Sequence, residues 1–123
     1  MSVFQVRVAF GPLDRSRWVE VDVVVDTGAT LTKIPRSLAE DLGLAPEGTV
    51  TVRLGDGHLI ERVVASAVIR CEGRQRIIPL SLGEESEPAV LGATALEILS
   101  LSPDPVNEVL VPTVAYELLA VAG

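Results

Sequence analysis

Hydrophobic and polar residues alternate along most of this chain with the two-residue period of a pleated strand. In residues 1–10, Phe4, Val6, Val8 and Phe10 fall on one side and Val3, Gln5 and Arg7 on the other. The turn cluster Gly11-Pro12-Leu13-Asp14 follows, and residues 18–25 then alternate Val19, Val21 and Val23 with Glu20 and Asp22, so a hairpin is expected. Further strands are expected at 49–54, 63–70, 76–82 and 106–111. Gly55-Asp56-Gly57 before His58-Leu59-Ile60 is a hairpin signal, and Cys71-Glu72-Gly73-Arg74 a second turn. Two short stretches read as helix instead. Pro35 suits a first helical position, Leu38 and Leu42 lie one turn apart in 36–42, and Gly43 suits the C-cap. Ala89-Val90-Leu91 is a short apolar strand that breaks at Gly92 and continues as a helix whose Leu96 and Leu99 face inward. Residues 83–88 form an acidic loop, and Ser102-Pro103-Asp104-Pro105 reads as a rigid turn. The tail is ambiguous: Val114, Leu118 and Val121 suit a helix, whereas Val114, Tyr116 and Leu118 suit a strand.

The fold class expected from this pattern is all-β, with one or two short helices. At 123 residues the chain fits one domain, divided as residues 1–112 and a tail, 113–123, that could reach a neighbouring subunit. Composition narrows the partners. With 48% hydrophobic but only 3% aromatic residues, the core must be Val, Leu, Ile and Ala. A formal charge of -7 without a Lys/Arg cluster argues against a nucleic-acid surface. No apolar run approaches the ~20 residues of a membrane span, and no basic start with an apolar run marks a signal peptide. The lone Cys71 has no internal disulfide partner and fits a reducing, cytoplasmic setting. It reads as a small turn-adjacent residue.

The candidate chemistry sits at the end of the second strand. Val23-Val24-Val25 reads as strand buried on both faces, and it runs directly into Asp26-Thr27-Gly28-Ala29-Thr30. Burying Asp26 as an anion costs several kcal/mol unless donors surround it, so a structural strand would end on something cheaper. Gly28 permits a sharp turn and a close approach by another chain, and the Thr27 hydroxyl can bond a backbone group across the site. The bland alternative is an ordinary turn in which Asp caps and Gly supplies positive φ. Asp22, flanked by alternating valines, reads as a solvated strand residue, Trp18 as a packing residue. His58 has no second His and no Cys at metal spacing, so no metal site is expected.

Three features in order resemble the retropepsin-like, single-lobed branch of the aspartic proteases: Asp26-Thr27-Gly28-Ala29, the glycine-rich hairpin some thirty residues later, and Val90-Leu91-Gly92 leading into a helix. Together they cover roughly residues 21–99. The resemblance implies a closed, barrel-like acid-protease fold with a flap hairpin. It implies Asp26 as the catalytic acid, with Gly28 and Ala29 lining the cleft and Gly55, Asp56, Gly57 and His58 forming the flap. Leu91 and Gly92 would lie under the active-site loop, where glycine lets the strand cross closely. This chain also departs from the retroviral pattern. Thr30 and Ala93 stand where an acid and a basic residue brace the retroviral dimer, and Asp56 stands where retroviral flap tips are small or apolar. Ala29 replaces the Ser or Thr that bonds the aspartate in pepsin-like relatives.

Peptide hydrolysis by this route takes two carboxyls that share a proton, and the chain carries one such motif. The site would therefore be assembled in a homodimer, with two copies of Asp26 brought across a two-fold axis and Thr27 gripping the partner loop. No cofactor is called for; the substrate would be a peptide or protein laid along the cleft as an added strand. Two competing readings are a catalytically silent retropepsin-like domain used for dimerisation or peptide binding, and an unrelated small β-barrel with a chance triplet.

Overall fold

The opening hairpin forms as its alternation requires. In the computed structural model, which describes residues 3–120, β1 (Gln5–Gly11) and β2 (Val19–Val25) run antiparallel, with Val6 opposite Val23 and Val8 opposite Val21. Met1 and Ser2 of the expected first strand, and the Val121 of the helical reading of the tail, lie outside the described residues. On the polar side of the hairpin, Arg7 faces Asp22 and donates to both its carboxylate oxygens at 3.0 and 3.1 Å. Asp22 is thus a solvated strand residue, as read from the pattern. Trp18 packs: its ring lies 3.8 Å from the Arg70 guanidinium and closes over Gly11.

Beyond the hairpin, β3 (Thr32–Pro35) leads into α1 (Arg36–Asp41). The strand is a finding, because four residues between a motif and a helix carry too little alternation to show. Pro35 is the extended N-cap rather than the first helical residue. The helix ends as a Schellman turn: Gly43 sits at φ +67° and its amide donates to Glu40, while the Leu44 amide reaches back to Ala39.

Next come β4 (Gly48–Arg53), β5 (Leu59–Cys71) and β6 (Arg74–Gly83). The strand expected at 63–70 starts earlier, at Leu59, and β5 is one strand of 13 residues. Its first part pairs only with β4, while pairing with β6 starts at Val64. The β4–β5 arm therefore projects beyond β6. At the other end Glu72 and Gly73, both with positive φ, form the two-residue turn into β6.

A short β7 (Val90–Leu91) and α2 (Ala93–Leu99) follow. The strands lie in the order β1-β2-β7-β3-β6-β5-β4, and β1 pairs again with β5. That last pairing closes a ring of six strands, with β4 hung outside it, which is the barrel-like all-β fold expected. Inside the ring lie fully buried Phe10, Ile34, Ile69, Ile78, Leu80 and Leu91, and Leu99 of α2 packs among them. Aliphatic burial of this kind is worth about 1.5–3 kcal/mol per side chain.

The C-terminal region differs from its reading. Ser102-Pro103-Asp104 is not a turn but part of β8 (Leu101–Asp104), which pairs with β9 (Val109–Pro112) in a separate two-stranded sheet. Asp104 moves the turn downstream, because its carboxylate accepts the amides of Val106 and Asn107 and the Asn107 side chain. Pro103 is tolerated because a two-stranded ribbon leaves each strand a free edge. Residues 113–120 are neither helix nor strand. They are exposed throughout, with Val114 70%, Tyr116 93%, Leu118 79% and Leu119 99% accessible.

Candidate functional site

Asp26 stands at the point where β2 leaves the sheet. Its amide still donates to the Leu91 carbonyl at 3.0 Å, so the main chain is held by β7 while the side chain is released. The valines before it behave as read in part: Val23 and Val25 are buried and Val24 half-buried. The acid itself is not buried. Asp26, Thr27 and Gly28 are exposed in the single chain, and the carboxylate accepts one bond, from the Gly28 amide to Oδ1 at 2.9 Å. The carboxylate escapes the desolvation cost because the strand ends where the fold opens to solvent.

Gly28 does not have positive φ, so turn strain is not what calls for glycine there. A methyl group at this position would meet only the Asp26 carboxylate, at 3.2 Å. The turn is completed by the Ala29 amide donating to the Asp26 carbonyl at 3.2 Å. Ala29 has no hydroxyl with which to bond the carboxylate, and the Thr27 hydroxyl has no partner among the described residues.

The support beneath this loop comes from Gly92. A Cβ there would lie 2.6 Å from the Leu31 carbonyl oxygen and 2.8 Å from that of Ala29, so only glycine admits the crossing. The N-terminus of α2 then ties the loop down: the Ala93 amide donates to Ala29 at 2.7 Å and the Thr94 amide to Thr30 at 3.1 Å. Thr30 and Ala93 thus take part in this support through their main chains, within the single chain. Thr32, fully buried on β3, accepts the Gly92 amide at 3.2 Å. Nothing in the pattern around Leu31-Thr32-Lys33 marked that role.

The expected hairpin tip is a three-residue loop of Gly55, Asp56 and Gly57. The Leu54 amide donates to His58 at 2.8 Å, the Gly57 amide to Leu54 at 2.9 Å, and only Gly57 has positive φ, at +93°. Asp56 takes the His58 amide at 3.0 Å and lies 2.9 Å from His58 Nδ1. These bonds hold its carboxyl below the usual range, the amide bond contributing most. Gly55, Asp56, Gly57 and His58 are all exposed, and no hydrogen bond among the described residues joins them to the Asp26 loop.

A charged cluster that sequence reasoning missed lies under the arm. Arg62, only 8% exposed, donates to Glu87 at 2.5 Å, Lys33 lies 3.6 Å from the same oxygen, and the other Glu87 oxygen accepts the Glu84 amide at 2.6 Å. The Arg62 bond chiefly drives the Glu87 carboxyl down to about 2. The acidic loop is thereby pinned to β5 and β3.

A cleft of about 640 Å3 runs from Thr27 past Leu96 and Leu101 to the tail at Val114 and Tyr116. A smaller hollow of about 320 Å3, beside Arg7, Glu20 and Arg70, contains none of the candidate residues. Among the described residues no group of His, Cys, Asp or Glu could hold a metal ion, and no helix is long and apolar enough to cross a membrane.

A family model described as aspartyl protease matches residues 6–95. Solved structures share the fold at low identity. The solution structure of simian foamy virus (mac) protease matches with TM-score 0.54 at 16% identity, covering 75% of this chain and 90% of that one. The EIAV protease complexed with the inhibitor HBY-793 matches with TM-score 0.58 at 16% identity, covering 75% and 83%. The retroviral protease-like domain of Ddi1 from Leishmania major matches with TM-score 0.55 at 16% identity, covering 90% of each chain. No curated protein matches the sequence.

Proposed function

Since the chain belongs to the aspartyl protease family, with a retropepsin-like fold, we propose that it is a homodimeric aspartic endopeptidase. One observation carries this reading: the Asp26 amide is fastened to Leu91 and the loop that follows it is tied at Ala29 and Thr30 by the Ala93 and Thr94 amides, while the Asp26 carboxylate is left open to solvent. A rigid mount for an uncovered acid suits half of a two-acid site.

In the dimer, two Asp26 carboxyls face one another and share a proton, because like charges at that distance cannot both ionise. The ionised one takes a proton from a bound water as its oxygen attacks the scissile carbonyl carbon. The protonated one gives its proton to the carbonyl oxygen, forming a tetrahedral diol; collapse of the diol returns a proton to the leaving amine and breaks the C–N bond. Thr27, with its free hydroxyl, grips the partner loop. Gly28 and Ala29 line the cleft, Leu91 and Gly92 support it from below, and the arm ending in Gly55–His58 closes over the extended peptide. The tail, 113–123, completes the interface, which fits the exposed Val114 and Tyr116 beside the cleft. The buried, unpaired Cys71 fits a reducing, cytoplasmic setting.

The test is sedimentation velocity together with cleavage of a peptide library by the wild type and by Asp26→Asn, with a statine-type transition-state mimic as control. The expected result is a dimer in both, with cleavage in the wild type alone and its inhibition by the mimic. A monomeric wild type sinks the reading, and a dimer that cleaves nothing and ignores the mimic makes this a silent domain.

A further inference from the structure

Every helix leaves its first amides without partners inside the helix, and α2 begins directly beneath the Asp26 loop. Two of these amides, on Ala93 and Thr94, donate to the carbonyls of Ala29 and Thr30, acceptors that any sequence supplies. The Gly92 amide differs. Its acceptor is a side chain, Thr32 Oγ1 at 3.2 Å, so this bond alone depends on residue identity. Thr32 is 0% exposed, and Gly92 is buried too, so bulk water cannot replace the hydroxyl. Thr32 also sits on a firm base, since β3 pairs with β6 through Thr32–Leu80 and Ile34–Leu82 and buries Ile34 fully on the same face.

Valine would fill the same volume in this aliphatic surrounding with no polar atom to satisfy. Gly92 meanwhile leaves no room for a side chain, since a β-carbon there would collide with the backbone of Leu31 and Ala29. The geometry points to Thr32 as a positioning residue for Asp26: its hydroxyl sets Gly92, the adjoining amides set Ala29 and Thr30, and these set the loop that carries the carboxylate. Thr32 touches neither substrate nor water in this role. The inference rests on the reading of Asp26 as half of a peptidase site.

The experiment compares Thr32→Val and Thr32→Ser in the full chain, measuring kcat and KM on a peptide the wild type cleaves, the melting temperature, and amide resonances and exchange at Gly92 and residues 26–30. A displacement of the order of an ångström at a reacting group costs up to about 100-fold in rate. The valine variant is therefore expected to lose about 10- to 100-fold in kcat, with KM within about twofold, while serine restores kcat to within about threefold. Wild-type kcat in the valine variant overturns the inference. So does a loss fully explained by the unfolded fraction, or a serine variant as impaired as valine. If the valine chain does not fold, Thr32→Cys, which keeps the volume but offers only a weak acceptor, carries the same comparison. If the wild type cleaves nothing, the peptidase reading fails separately. Thr32 is then judged by the spectra: faster exchange at Gly92 with shifts across residues 26–30 upholds its role, and unchanged spectra there overturn it.

Discussion

Replacing Gly92 with alanine adds one methyl group at the tightest crossing in the molecule. The backbone there, φ -96° and ψ 177°, is extended and open to any residue, so the substitution carries no conformational strain of its own. What it carries is collision. The new carbon would lie 2.6 Å from the Leu31 oxygen, 2.7 Å from its carbonyl carbon and 2.8 Å from the Ala29 oxygen, all main-chain atoms without rotamers to give way. Ordinary contact begins at 3.4 Å, so the loop must retreat by about 0.6–0.8 Å, which stretches the 2.7 Å bond from Ala93 to Ala29 to the edge of hydrogen-bond range. Overpacking of this kind costs about 1–3 kcal/mol and the weakened bond up to about 1 kcal/mol more.

The retreating segment is the one that carries Asp26, so the same movement should lower kcat on a cleaved peptide by roughly 100-fold. Urea unfolding reads the first effect and steady-state cleavage the second. Gly43→Ala is the matched control: nothing lies near its added carbon, but its φ of +67° imposes about 1–2 kcal/mol of left-handed strain on alanine, far from the acid. The control should lose stability and keep its kcat. A Gly92→Ala variant that unfolds at the wild-type urea concentration and cleaves at the wild-type rate refutes the reasoning.

Other expectations follow from the pinned loop, the helix end and the cysteine. The Glu87 carboxyl, lowered from 4.5 to about 2 by its bond to Arg62, stabilises the fold fully above about pH 4.5. That contribution, on the order of 3 kcal/mol, is lost as pH falls through 2, and urea titrations from pH 6 to 2 should show Glu87→Gln lacking this part of the slope. An identical slope in the variant removes Glu87 as its source. Arg74 donates to the carbonyls of Leu99 and Ser100 at 2.6 and 2.7 Å, closing the C-terminus of α2. Arg74→Met should therefore cost about 1.5–3 kcal/mol in urea unfolding, and a loss below about 0.5 kcal/mol contradicts the capping role. Burial pushes the Cys71 thiol up to about 11, so iodoacetamide at pH 8 should leave the native protein unlabelled by mass spectrometry and modify the unfolded chain fully. Rapid labelling of native protein would mean that β5 opens near its end.

What was legible in the sequence is what neighbouring residues decide among themselves. The first hairpin, the Gly43 helix stop, the Glu72-Gly73 turn and the strand-glycine-helix passage through Gly92 all depend on a few adjacent residues. Elements whose partners lie far away were hidden. β3 exists because Thr32 to Pro35 pair with Leu80 to Gly83 and Lys33 with Val90, and neither partner can be inferred from four residues. The continuity of β5 was hidden because Arg62 interrupts the apolar pattern, and only the distant Glu87 makes a buried arginine tolerable there. At the tip of Ser102-Pro103-Asp104, proline was weighed as a turn residue when the Asp104 carboxylate was what placed the turn.

The candidate site shows the same division, and its unfinished parts bear on each other. An acid after Val23-Val24-Val25 demanded donors, yet the single chain supplies the Gly28 amide alone and leaves the carboxylate open. The tail meets the far end of the cleft that starts at Thr27 with Val114 and Tyr116, and it leaves these two and Leu118 and Leu119 uncovered. In the proposed dimer a second copy would bring its carboxyl to the first and cover the tail. Covering four such side chains on each copy is worth about 12–24 kcal/mol before costs, at about 1.5–3 kcal/mol each, against about 4–15 kcal/mol for lost freedom on association. The surplus is small enough that protein concentration would govern assembly, and with it the meeting of the two acids. On this reading the exposed tail and the exposed aspartate answer to one property, the association of two copies.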